Sequence, residues 1–153
     1  MMYLKEYLRK FEGKKIKLFV DMDGVIADYI VGAARDYDKK RPLYDSINKL
    51  EEISKMDNIE LHILSVTRMT EGFEQKQGWL DKYAPFFKKE NRAILSREAN
   101  NMEESAFLKA KYLQKYKNDE SVIIVIDDDP RVLKEMQNSN DKLILLKDTA
   151  LVD

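Results

Sequence analysis

Two carboxylates that stand two residues apart directly after an apolar stretch are the sharpest chemical feature of the sequence. The apolar stretch is 16–20, and Asp21 and Asp23 follow it. The backbone has to turn after the stretch, and Gly24 permits the unusual dihedral angles that such a turn requires. The turn allows the two carboxylates different tasks, one as a nucleophile and the other as a general acid and base.

Two further apolar stretches also end in polar residues. These are Ser65, Thr67 and Arg68 at the end of 59–66, and Asp127, Asp128 and Asp129 after 122–126. If the three stretches are neighbouring parallel strands, at least four carboxylates meet in the crevice beyond the strand ends. Such a cluster repels itself and should hold a cation. With no cysteine and one histidine in the chain, oxygen ligands and Mg²⁺ are expected.

Strand-like and helix-like patterns alternate along the whole chain. Strands are predicted at 16–20, 59–66, 92–96, 122–126 and 142–146, and helices at 2–11, 29–40, 43–56, 70–83, 103–116 and 130–138. Alternation of this kind predicts an α/β fold of three layers, Rossmann-like, with about five parallel strands and helices on both faces of the sheet. We expect one domain over residues 1–153.

Composition excludes several classes of function. The net charge is −1 and 36% of the residues are charged, so a strongly basic nucleic-acid coat is not expected and nucleic acid is not indicated as a partner by charge. The absence of cysteine rules out disulfides and thiolate chemistry. No apolar run approaches the roughly 20 residues that span a bilayer. We therefore expect a cytoplasmic protein without a membrane partner.

Four segments resemble the motifs of the haloacid dehalogenase-like (HAD) superfamily of aspartate-nucleophile phosphotransferases. They are DMDGVIAD at 21–28, HILSVTR at 62–68 with Ser65, the lysines Lys109 and Lys111, and IDDDP at 126–130. Within that superfamily, WLDKYAPFF at 79–87 and AILSRE at 93–98 are similar to segments of the 5'(3')-deoxyribonucleotidases. That family carries a helical cap between its first two motifs, and the spacing here leaves no room for a substantial cap domain.

The resemblance implies a role for each residue. Asp21 attacks phosphorus, and Asp23 protonates the leaving oxygen and then activates water. Mg²⁺ is held by Asp21, by the carbonyl group of Asp23 and by Asp127, with Asp128 as the second acidic residue of its motif. Which of the last two binds the metal directly stays open.

The phosphate group has its own expected contacts. The resemblance assigns Ser65 to a phosphate oxygen and a lysine to a second one, and Thr67 and Arg68 follow Ser65 closely enough to contact substrate. Lys109 and Lys111 lie about 200° apart around a helix, so only one faces the crevice. The motif spacing favours Lys109.

The sequence thus predicts an enzyme, a Mg²⁺-dependent phosphomonoester hydrolase with an aspartyl-phosphate intermediate. A phosphorylated small molecule such as a nucleoside monophosphate is the expected substrate. A phosphatase for nucleic-acid ends or phosphoproteins, with an open site, is an alternative, as is a non-catalytic binding module. A response-regulator receiver is disfavoured because the acidic run follows the lysine in the chain.

Some polar and aromatic residues have simpler structural explanations. Asp28 and Asp129 are expected to cap the helices that follow them. His62 is expected to pack within its strand, and Trp79 within the core.

Overall fold

The computed structural model describes residues 3–29 and 37–152. Five parallel strands form one sheet in the order β3-β2-β1-β4-β5. The strands are β1 (Ile16–Val20), β2 (Ile59–Thr67), β3 (Arg92–Ser96), β4 (Val122–Asp127) and β5 (Ile144–Lys147). The α-helices are α1 (Tyr3–Arg9), α2 (Tyr44–Ser54), α3 (Gly72–Tyr83), α4 (Ser105–Leu113) and α5 (Pro130–Ser139). The predicted parallel α/β fold is confirmed.

The core is divided by the sheet into two layers of apolar side chains. Successive residues of a strand face opposite sides, so Leu18 packs on the side of α1, α2 and α3 whereas Phe19 packs on the side of α4 and α5. Apolar residues on both faces explain why the central strands read as continuous apolar stretches.

The strand order brings the three polar strand ends together. β1 lies between β2 and β4, and all three run in the same direction. The chain therefore passes from β1 to β2 and β3 on one side of β1, and then crosses to β4 and β5 on the other side. Ligand crevices in open α/β sheets form at such a reversal, beyond the carboxyl ends of the strands.

Several element boundaries differ from the sequence prediction. Of the helix expected at 29–40, only a short 3-10 turn at Tyr37–Lys39 falls among the described residues, and residues 30–36 lie outside them. The last strand begins two residues later than predicted, at Ile144. Asn140 explains the shift, because its side chain accepts a hydrogen bond from the backbone of Lys142 and holds that residue in a turn.

Candidate active site

The loop after β1 directs its two carboxylates to different partners. The carbonyl group of Met22 accepts the backbone N–H groups of three later residues, which closes a tight turn. Gly24 has a φ of +79°, the left-handed region expected at this position. Asp21 stays aligned with β4 through a 3.0 Å backbone hydrogen bond to Ile126, while Asp23 turns away towards α3. The two carboxylates therefore lie in different surroundings, and the division of tasks between them stays a prediction.

Asp21, Asp127 and Asp128 form an acidic cluster at the ends of β1 and β4. Each offers a carboxylate oxygen, and these oxygens lie within 4.8 Å of one another. The pKa of Asp21 is raised to about 7, because burial and the charges of Asp127 and Asp23 together outweigh the lowering effect of Lys109. The donor set consists of hard oxygens, and their mutual repulsion needs a cation. The acidic cluster therefore fits Mg²⁺.

Lys109 bridges the two most buried members of the acidic cluster. Its ammonium donates to Asp21 at 2.9 Å and to Asp127 at 2.7 Å. Burial lowers the pKa of Lys109, but the two carboxylates outweigh it and hold the pKa above its usual range. Lys111, on the same helix, is exposed. Of the two lysines, Lys109 is the one that faces the crevice.

Asp23 lies between two buried lysines. Lys40 donates to one carboxylate oxygen at 2.6 Å and Lys76 approaches the other at 3.2 Å. The buried Tyr37 hydroxyl also interacts with this carboxylate, although not in regular hydrogen-bond geometry. Burial raises the pKa of Asp23, but Lys76 and Lys40 hold it below its usual value. The environment thus favours the ionised form of Asp23, which is the form that accepts a proton.

Ser65 is fully buried and is held by Lys76. The Lys76 ammonium donates to the Ser65 hydroxyl oxygen at 2.6 Å and to the Val66 carbonyl at 2.9 Å. With Asp23 as the third acceptor, all three N–H donors of the ammonium have partners. Ser65 lines neither of the two pockets described below. Its role in phosphate binding stays a prediction, and Lys76 is the group that orients it.

Thr67 and Arg68, the other predicted contacts to substrate, differ in their surroundings. The Thr67 hydroxyl donates to the Met69 carbonyl at 3.1 Å and lies against Gly72, where an added Cβ would be 1.9 Å from it. Thr67 therefore supports the start of α3. The Arg68 side chain is exposed and lines a pocket. Both residues line the same pocket, and substrate contact by either one stays a prediction.

Two pockets meet at Asp23. An acidic pocket of about 370 Å³ contains the acidic cluster and Lys109. A basic cleft of about 510 Å³ contains Lys40, Arg68 and Lys76. A larger cavity of about 580 Å³ lies beside Asn58, at the end of the strands opposite to the acidic pocket. It contains none of these groups.

Four residues with simpler expected roles also have defined surroundings. The Asp129 carboxylate accepts the backbone N–H of Arg131 at 2.9 Å and so caps α5. Asp28 pairs with Arg41 at 3.0 Å, and the helix it was expected to cap lies outside the described residues. His62 is buried and stacks on Phe19 at 4.5 Å. Trp79 is buried in the core, as expected.

Sequence reasoning missed Lys76, Lys40 and Tyr37. Lys76 carried a usable signal, because it stands three and four residues before Trp79 and Leu80 and so shares their buried helix face. A lysine on such a face needs a buried partner. Lys40 carried no comparable signal, since Trp79 holds its backbone through a 2.9 Å hydrogen bond that depends on the tertiary fold.

Solved structures share the fold of this chain. A chain in the structure of the Pnkp1/Rnl/Hen1 RNA repair complex aligns with a TM-score of 0.68 at 15% identity, over 89% of this chain and 43% of that one. A class C acid phosphatase from Bacillus anthracis with tungstate bound aligns with a TM-score of 0.61 at 14% identity, over 97% of this chain and 73% of that one. The chain thus spans less than half the length of the RNA-repair chain. No protein-family model matches the sequence, and no curated protein is significantly similar to it.

At these identities the likeness shows the three-layer α/β fold. Among the described helices, none is both long enough and apolar enough to cross a membrane.

Proposed function

We propose that this protein is a Mg²⁺-dependent phosphomonoester hydrolase that works through an aspartyl-phosphate on Asp21. The observation that carries the proposal is the position of Asp21. Its carboxylate lines the acidic pocket, belongs to the acidic cluster and accepts a hydrogen bond from Lys109 at 2.9 Å. A fold shared with an acid phosphatase supports this assignment.

In the first step, a carboxylate oxygen of Asp21 forms a bond to phosphorus and the bond from phosphorus to the leaving oxygen breaks. Lys109 orients the Asp21 carboxylate and favours its ionised form against the effect of burial. The leaving oxygen takes its proton from Asp23, which regains a proton from water in the second step of each cycle. The Asp23 carboxyl group borders both pockets, so the alcohol can leave through the basic cleft.

In the second step, Asp23 accepts a proton from water and the water oxygen attacks phosphorus. The bond between Asp21 and phosphorus breaks, inorganic phosphate leaves and Asp21 is regenerated. Lys40 and Lys76 favour the ionised Asp23 that this step requires. Ser65 has its oxygen held by Lys76, and its assignment to a phosphate oxygen rests on the motif resemblance of 62–68.

A bound Mg²⁺, held by Asp21, Asp127 and Asp128 together with the carbonyl group of Asp23, would neutralise the charge of the phosphate beside that of the nucleophile.

For the substrate, we propose nucleoside monophosphates as the first class to examine, on the resemblance of 79–87 and 93–98 to nucleotidase segments. Phosphorylated nucleic-acid ends and phosphoproteins are the alternative substrates of an open site. A non-catalytic binding module is the alternative outside enzymes.

The direct test is hydrolysis of p-nitrophenyl phosphate with Mg²⁺, comparing the wild type with Asp21→Asn. We expect turnover by the wild type, its loss on addition of EDTA and its recovery with excess Mg²⁺. Asp21→Asn should be inactive, and acid-quenched wild type should carry phosphate on Asp21 by mass spectrometry. The matched control is Asp129→Asn. It should keep turnover, because asparagine also caps helices and the fold is retained. Full activity of Asp21→Asn would refute the covalent mechanism, and activity insensitive to EDTA would remove the metal from it.

A further inference from the structure

The basic cleft beside Asp23 has a charge that the hydrolysis of a simple phosphomonoester does not explain. Three cations line it, Lys40, Arg68 and Lys76, against the two carboxylates Asp23 and Glu71. The acidic pocket next to it has the opposite balance, with five carboxylates and two cations. One bound metal and one phosphate suit the acidic pocket. In the cleft, Lys76 has partners for all its donors, which leaves Lys40 and Arg68 as the cations with donors to spare.

Lys40 is fixed at the edge of this cleft. Its side chain is buried, its ammonium lies 4.7 Å from the ring centre of Tyr37, and its backbone carbonyl accepts the Trp79 indole N–H at 2.9 Å. The hydrogen bond to Asp23 uses one of three ammonium donors. Lys40 therefore offers a cation whose position is set by packing before any ligand arrives.

Arg68 supplies the second cation and lies at the exposed side of the cleft. Its guanidinium makes no ion pair or hydrogen bond with the residues in 3–29 and 37–152, unlike Arg131 at the edge of the acidic pocket, which pairs with Asp129 at 3.1 Å. A guanidinium presents paired donors that match two phosphate oxygens. Arg68 is thus suited to a phosphate that enters from solvent.

We propose that the basic cleft binds a second phosphate, carried by the alcohol that leaves from the scissile phosphate. This inference rests on the proposed hydrolase function and names its substrate class. The acidic pocket and the cleft share Asp23 and Val66 as walls, so a substrate with its scissile phosphate at Asp21 extends its alcohol past Asp23 into the cleft. The cleft volume of about 510 Å³ is within the range of sites that hold small organic ligands.

A second phosphate of this kind has two sources, a small bisphosphorylated molecule or the next phosphodiester of a nucleic-acid strand. Both present the same group to Arg68 and Lys40. Thymidine 3',5'-bisphosphate represents the first source, and an oligothymidylate with a 3'-phosphate represents the second. Thymidine 3'-monophosphate and thymidine 5'-monophosphate are the matched substrates that lack the second phosphate.

The test is the ratio of kcat/KM between each substrate that carries a second phosphate and its matched monophosphate, at low ionic strength with Mg²⁺. We expect a ratio of about ten to one hundred for at least one source, the size of a charge-assisted hydrogen bond. The ratio should fall to roughly three or less in Arg68→Gln and decline as salt is added, because Arg68 is exposed to screening. Arg131→Gln is the control and should keep the wild-type ratio.

The outcomes separate the two proposals. Hydrolysis that requires Asp21, with equal kcat/KM for all four substrates and no effect of Arg68→Gln, overturns the second-phosphate site and leaves the hydrolase intact. Preference for the bisphosphate or for the oligonucleotide supports the site and identifies the source. If no substrate is hydrolysed, the hydrolase proposal fails. Asp21→Asn then provides a binding readout, and equal affinity for the bisphosphate and the monophosphates would overturn the second-phosphate site by itself.

Discussion

The Lys76 ammonium donates a hydrogen bond to the Ser65 hydroxyl oxygen across 2.6 Å, and both side chains are buried. This contact joins helix α3 to the carboxyl end of strand β2. The same ammonium lies 3.2 Å from a carboxylate oxygen of Asp23. One lysine therefore positions two groups that we propose to act on the phosphate and on the leaving oxygen.

Replacing Lys76 should impair catalysis although the residue lies in no recognised motif. We expect Lys76→Met to lower kcat/KM for p-nitrophenyl phosphate by about 10- to 100-fold, the range for losing charge-assisted hydrogen bonds. Since Lys76 supports both Asp23 and Ser65, its loss should exceed that of Ser65→Ala. Lys82→Met, at an exposed position of the same helix, is the control and should be close to wild type. Wild-type kinetics in Lys76→Met would show that the contact is structural only.

A second prediction separates the two lysines of helix α4. Lys109→Met removes the cation between two buried carboxylates and leaves them uncompensated, which costs about 3–5 kcal/mol in comparable cases. We expect the melting temperature without Mg²⁺ to fall by roughly 10 °C and turnover to be lost. Lys111→Met should change neither, because Lys111 is exposed. Comparable effects in the two variants would contradict the assignment of Lys109.

The sequence allowed prediction of the strands and of the acidic cluster, because both depend on local pattern. Strands buried on both faces read as apolar stretches, and side chains that directly follow parallel strands meet at one edge of the sheet. The partners of Asp23 could not be predicted in the same way. Lys76 is 53 residues away from it in the chain, and only the packing of α3 against the β1 and β2 loops brings them together.

The raised pKa of Asp21 predicts how pH and Mg²⁺ act on stability. The pKa of Asp21 is raised from 3.8 to about 7, chiefly by burial. Between about pH 4 and about pH 7, Asp21 is therefore protonated in the folded protein but ionised in the unfolded chain. The free energy of unfolding without metal should therefore fall, for this group, as pH rises from about 4 to about 7. Mg²⁺ requires the ionised carboxylate, so its stabilising effect should grow over the same interval.

Differential scanning fluorimetry with and without Mg²⁺ measures this linkage. We expect a larger Mg²⁺-induced rise in melting temperature at about pH 8 than at about pH 5. In Asp21→Asn the rise should be smaller and should depend less on pH over this interval. A rise that is equal at both pH values in the wild type would contradict the linkage.

Gly24 gives a test of the acidic cluster that leaves every carboxylate in place. Its φ is +79°, and a Cβ at this position would lie 2.0 Å from an oxygen of Asp128. Gly24→Ala should therefore strain the backbone by about 1–2 kcal/mol and also displace the Asp128 carboxylate.

The control for this variant is at Gly13, which has a similar φ of +86° with nothing within 4 Å of an added Cβ. Gly13→Ala thus reproduces the backbone strain without the clash, and Gly24→Ala should lose at least as much thermal stability as Gly13→Ala. Only Gly24→Ala should weaken Mg²⁺ affinity and turnover, as measured by calorimetric titration and by p-nitrophenyl phosphate hydrolysis. Unchanged Mg²⁺ affinity in Gly24→Ala would place Asp128 outside the metal site and leave Asp21 and Asp127 as its side-chain ligands.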